Sequence, residues 1–191
     1  MALRLHQITV NRLGFAIHND MKTLKRFFAF LVIALATSVI ASAQTSLTSL
    51  SGGSVDVQAQ KGKVVILAVG AKWLPLSVKQ AEFTTALAKK YAGKNVVVYF
   101  IAIDSVNPKD PKSKNRATDD ELRQWASTNR LTVNVLRDPD GAAVTGKFAL
   151  DQLPAFIVLD KNGAKSGDAF GGIDPKYDIT VPISKKVDSL L

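Results

Sequence analysis

The stretch from Val64 to Leu87, VVILAVGAKWLPLSVKQAEFTTAL, constrains this chain more than any other. Val64 to Val69 is an unbroken β-branched and aliphatic run, the pattern of a strand buried on both faces. A tight Gly70-Ala71-Lys72-Trp73 turn follows. Pro75 then predicts a helix entered at that point, because proline is tolerated in the first helical turn, where its missing N–H costs nothing. Phe83, Leu87 and Tyr91 recur at intervals of four on one face, Ala81, Ala86 and Ala88 favour the helix, and Gly93 offers a left-handed cap. The result is a strand-turn-helix unit whose site lies at the turn.

Several landmarks carry a likeness to a known family. They are Gly62 to Leu67, Ala71-Lys72-Trp73, Pro75 and, far downstream, Leu153-Pro154-Ala155-Phe156-Ile157-Val158-Leu159-Asp160 with Asn162-Gly163. From about Leu47 to Leu191 the chain resembles the thioredoxin-like superfamily, and within it the periplasmic thioredoxins of the cytochrome-c-maturation type. The resemblance implies an α/β thioredoxin fold and a cis peptide bond before Pro154. In that family the Trp is followed by Cys-x-x-Cys, whose first thiol is a low-pKa nucleophile at a helix N-terminus. Here those four positions read Leu74, Pro75, Leu76 and Ser77, so the motif is vestigial and no catalytic residue is assigned. Two positions where family members keep proton-handling acids hold Ala68 and Gln80. Lost thiols and lost acids together imply a lost redox function.

The first segment is not read as fold. Met21 to Arg26 is a basic region, Phe27 to Ile40 is dominated by apolar residues, and Ala41-Ser42-Ala43 fits a small-residue cleavage pattern, which together describe a secretory signal peptide with Met21 as its start. The division is therefore 1–43, leader, and 44–191, a single domain. An uncleaved anchor is the competing reading, although the apolar segment is shorter than the ~20 residues of a usual spanning helix. A membrane partner is expected only in that case; otherwise the protein is periplasmic or secreted.

Setting the leader aside sharpens the composition. Five Lys/Arg and one acid lie there, so residues 44–191 carry +5 of the chain's formal +9. The densest basic run, Lys109 to Arg116, alternates with Pro, Ser and Asp and contains no aromatic, unlike the interleaved patches of nucleic-acid binders; no nucleic-acid partner is expected. His6, His18, Met1 and Met21 all precede residue 44, and the chain has no Cys. Residues 44–191 thus lack Cys, His and Met, which excludes Cys/His zinc sites, Ser-His-Asp or Cys-His nucleophile pairs and His-ligated haem. No metal or cofactor is expected, and 148 residues without disulfides must rely on their core.

Across the rest of the chain, Leu47 to Gln60 predicts an entry strand turning at Ser51-Gly52-Gly53, and Asn95 to Asp104 a second buried strand. Asn107 to Arg116 predicts a surface excursion. Thr118 with Glu121 is a capping box opening a helix through Trp125 to Asn129. Leu131 to Leu136 predicts a strand, Ala142 to Phe148 a helix after Asp138-Pro139-Asp140-Gly141, Ala155 to Asp160 a strand, Asn162-Gly163 a hairpin turn, and a last helix from near Ile183. The expected architecture is a mixed, mostly parallel central sheet flanked by helices on both faces.

Two classes of function fit. The first is a redox-inert binding or assembly-accessory module, taking a protein or extended peptide of the cell envelope. The resemblance places that contact at Trp73, Leu74, Pro75, Leu76, Leu153 and Pro154. Whether Leu74 is presented or packs inward stays open. The second is an enzyme: an oxidoreductase-family protein acting only with a cysteine-containing partner, or a non-thiol catalyst using Ser77 with Lys72 or Lys79 as base. A structural subunit with a vestigial site is a further alternative.

Overall fold

A computed structural model describes residues 45–106 and 115–191. Residues 1–44, with the expected leader, and most of the expected 107–116 excursion lie outside these residues. Among the described residues, six strands form one sheet: β1 (Ser46–Ser49), β2 (Ser54–Asp56), β3 (Val64–Gly70), β4 (Val96–Ala102), β5 (Asn134–Arg137) and β6 (Ala155–Leu159), in the order β2-β1-β5-β4-β3-β6. β3 runs parallel to β4, and β4 to β5, whereas β1 is antiparallel to β2 and β5, and β6 to β3. The sheet is mixed as expected, but antiparallel pairings outnumber parallel ones. The entry hairpin and the antiparallel β6 supply the difference.

Every residue of β3 is buried, and strand alternation divides it between two apolar layers. Val64, Ile66 and Ala68 join Val98 and Phe100 of β4 and Phe156 of β6 on one face; Val65, Leu67 and Val69 join Ile101 and Ile157 on the other. Three α-helices cover the first face: α1 (Ser77–Lys90) through Phe83 and Leu87, α2 (Asp119–Thr128) through Leu122, and α3 (Thr180–Asp188) through Ile183 and Val187. Trp125, half-buried, packs against this layer, its ring 5.2 Å from that of Phe100.

The second face is covered by Val144 and Phe148, from the stretch expected to be helical over 142–148. Instead, a short 3-10 helix, Pro139–Gly141, is followed by turns. Positive φ at Asp140 (59°), Gly141 (67°) and Ala149 (49°) interrupts regular winding. The Asp138 carboxylate takes the Ala143 and Val144 N–H groups, both at 2.8 Å.

Three boundaries also move. α1 starts at Ser77, with Pro75 in a preceding turn that the Leu74 N–H to Ala71 carbonyl and Ser77 N–H to Leu74 carbonyl bonds close first. β5 starts at Asn134 because Arg130 (φ 52°) and the Leu131 N–H to Ala126 carbonyl bond close the helix first. α3 starts at Thr180, ahead of the expected Ile183. Asp178 Oδ1 accepts from the Thr180 N–H at 2.9 Å, and Pro182 falls in the first turn, where no N–H is needed.

The sheet's edges are short or covered. β2 has three residues, and β6 is flanked by returning chain, with Phe156 and Phe170 exchanging N–H···O bonds at 2.8 Å and Ser166 N–H reaching Val158 carbonyl. Gly163 (φ 83°) makes the turn between them.

Candidate functional site

The turn between β3 and α1 sits where the parallel strands end. It closes with Leu74 N–H to Ala71 carbonyl at 3.1 Å and Ser77 N–H to Leu74 carbonyl at 3.1 Å. Trp73 is 38% exposed and Pro75 is exposed, whereas Leu74 and Leu76 are half-buried. These two leucines straddle the end of the sheet, Leu76 packing against the first apolar layer and Leu74 against the second. The open question of Leu74 is thereby answered in part by inward packing. A short polar residue would be free there, but a leucine follows its apolar area into the core margin.

Ser77 is fully buried and its hydroxyl donates to the Ala71 carbonyl. Its two candidate bases are engaged as well: Lys79 Nζ lies 2.7 Å from Glu82, and Lys72 Nζ 3.3 Å from Glu121. Geometry therefore opposes the Ser-Lys reading.

Leu153-Pro154 is cis, and antiparallel pairing sets Val69 opposite Ala155, so Gly70-Ala71 and Leu153-Pro154 leave the sheet side by side. Leu153 is half-buried and Pro154 buried. Fully buried Gln80, in the first turn of α1, joins the two: its Nε2 donates to Val69 carbonyl at 3.0 Å and to Ala155 carbonyl at 2.9 Å. Gln80 Oε1 lies so close to Gly70 that a Cβ there would collide with it. Ala68, one of the two positions expected to lack an acid, is fully buried in the first layer.

A group of charges that the sequence reading did not assemble lies at the same edge. β3, β4 and β5 are parallel, so the charged residues ending or following them, Lys72, Asp104 and Arg137, must meet. That was the available signal: an ion at the end of each apolar strand. Both oxygens of fully buried Asp104 accept the Lys72 N–H, each at 3.2 Å. Burial pushes the Asp104 carboxyl up from its ordinary value, against the pull of that N–H and of the Arg137 and Lys72 charges. Arg137 donates to the Ala117 carbonyl and lies 3.3 Å from Asp119. The capping box of α2 is present as expected, with Thr118 Oγ1 accepting from Glu121 N–H at 3.2 Å and Glu121 accepting from Thr118 N–H at 2.6 Å. The Thr118 N–H, with Lys72 beside it, lowers the Glu121 carboxyl to about 2.

The AhpC/TSA family model matches residues 41–164, well over half of the chain. The chain belongs to the AhpC/TSA family. No curated protein matches it significantly in sequence. Among solved structures, it is similar to a thioredoxin-like protein from Aeropyrum pernix at 20% identity, covering 84% of this chain and 99% of that one with a TM-score of 0.62. A secreted Mycobacterium tuberculosis disulfide oxidoreductase homologous to E. coli DsbE gives 22%, 77%, 96% and 0.57. The exposed lipoprotein thioredoxin of Streptococcus pneumoniae gives 22%, 75%, 99% and 0.57. At these identities the likeness shows the fold, which is thioredoxin-like, as the Trp73-x-Pro75 and Leu153-Pro154 landmarks implied. This AhpC/TSA-family chain carries no cysteine. Among the described residues, no group of His, Cys, Asp and Glu is arranged to hold a metal ion, and no helix is long and apolar enough to cross a membrane.

Proposed function

We propose that this protein is an exported thioredoxin-like module that has given up thiol chemistry and uses the end of its sheet to hold a protein or extended peptide of the cell envelope. The observation that carries the reading is the occupancy of the turn. A chain with no cysteine has no sulfur nucleophile for disulfide exchange, while the turn still presents Trp73 and Pro75 to solvent. Exposed aromatic and apolar area beside a strand end suits an extended peptide, which supplies backbone for pairing and side chains for packing. Export rests on the order of basic region, apolar run and Ala41-Ser42-Ala43.

Two measurements on purified protein test this. In insulin reduction, turnover should not exceed the buffer blank. Titration with reduced, carboxymethylated α-lactalbumin should move amide resonances of residues 71–77 and 153–155, and Trp73→Ala should weaken that binding about tenfold, or ~1.4 kcal/mol. Turnover above the blank, or binding that leaves these amides unmoved, would overturn the reading.

A further inference from the structure

We propose that Asp104 is a positioning residue for the Ala71–Leu76 turn: its ionised carboxylate holds the Lys72 N–H, and taking up a proton releases the turn. The inference deepens the reading of the turn as a contact surface, but its readout is the conformation of the turn itself, so either can fail alone.

The geometry is specific. Asp104 follows β4, is fully buried, and reaches the Lys72 N–H, near the start of the turn, with both oxygens at 3.2 Å. Every neighbouring element contributes a charge. Lys72 comes from the turn and Arg137 from the end of β5. Glu121 and Asp119 of α2 lie 3.3 Å from those two cations respectively. Asp138, next to Arg137, spends both oxygens on Ala143 and Val144 N–H groups, and Arg116, bridged to Ser105, is exposed. The two cations are thus shared with the α2 carboxylates, leaving Asp104 a buried anion held chiefly by backbone donors, the Lys72 N–H first and its own N–H second. A charged acceptor binds an N–H about twice as strongly as a neutral one, so protonation weakens the anchor. Burial already raises the Asp104 carboxyl, which brings that event to milder acidity than for an exposed aspartate and separates it from Glu121, held at about 2.

The sign for the whole fold runs the other way. A carboxyl raised in the folded state favours folding at low pH and loses that contribution as pH rises through its folded value. Release of the turn is therefore not a step in acid unfolding.

The chain has two tryptophans, Trp73 and Trp125, so Trp125→Phe leaves Trp73 as a sole reporter one residue from the anchored N–H. Its emission and acrylamide quenching, followed from pH 8 to pH 3, should show one transition centred above the ordinary aspartate value, with far-UV circular dichroism unchanged. Asp104→Asn should abolish the transition. In wild-type protein, the Lys72 amide proton should move upfield along the same curve as the Asp104 carboxyl carbon, a measurement that holds even if Asp104→Asn does not fold. A flat Trp73 signal, a transition that survives Asp104→Asn, or a Lys72 amide that ignores the Asp104 titration would each overturn the proposal.

Discussion

The side chain at position 80 must serve two carbonyl oxygens at once, those of Val69 at 3.0 Å and Ala155 at 2.9 Å. A carboxamide has two N–H donors for them, whereas an ionised carboxylate has none. Gln80→Glu should therefore destabilise the fold at pH 8 by about 3 kcal/mol, the scale of a buried charge without a partner. The two carbonyls would raise the introduced carboxyl, so the loss should shrink as pH falls through its folded value, because a protonated acid regains one donor. Urea unfolding at pH 5 and pH 8 checks both size and direction; equal losses at the two pH values would refute the argument. Leu74 belongs to the same scale. Full exposure would make Leu74→Ser neutral, but Leu74 packs against the second apolar layer. Half of a leucine's burial corresponds to about 1 kcal/mol, which should appear as a lower urea midpoint with an unchanged slope. Trp73 is only 38% exposed, so Trp73→Ala should also lower the midpoint, at a cost of about 1–2 kcal/mol for the covered part of the ring.

Among the elements, α2 is the one whose terminus the sequence described correctly, because a capping box is a local device written in Thr118 and Glu121 alone. Removing its acceptor with Thr118→Ala should cost about 1 kcal/mol. Glu121 is lowered from 4.5 to about 2, so the support it gives α2 is full above 4.5 and fades as pH falls toward 2. Amide exchange at residues 119–122 should accelerate over that window; constant protection would show that the capping box does not hold the helix end. β3, β4 and β6 were legible too, since each is a short, β-branched-rich apolar run bounded by turn residues. What escaped was non-local. Nothing in Ala142 to Phe148 announces that Asp138 and the left-handed residues Asp140, Gly141 and Ala149 will break the winding. The Asp104–Lys72 anchor joins positions distant in sequence, visible only once β3 and β4 are known to be parallel. At the candidate site, the identity of the turn and of Leu153-Pro154 was readable from their landmarks, but the inward lean of Leu74 depended on packing that no local pattern encodes.

For the whole molecule, protection from hydrogen exchange should be graded across the sheet. β3 is flanked by β4 and β6 and buried throughout, whereas β1 and β2 form a short hairpin at one side. Amides of β3 and β4 should exchange only through global opening and those of β2 through local fraying; uniform protection would contradict that order. The same layout bears on how copies of this protein behave when crowded together. Strand-to-strand polymerisation needs a long free edge. One lateral edge here is a three-residue strand and the other is already occupied by the chain's own return from Ala164 to Phe170. Among the described residues, little backbone is left along either side of the sheet, so lateral pairing between copies would find few unpaired N–H and C=O groups to join.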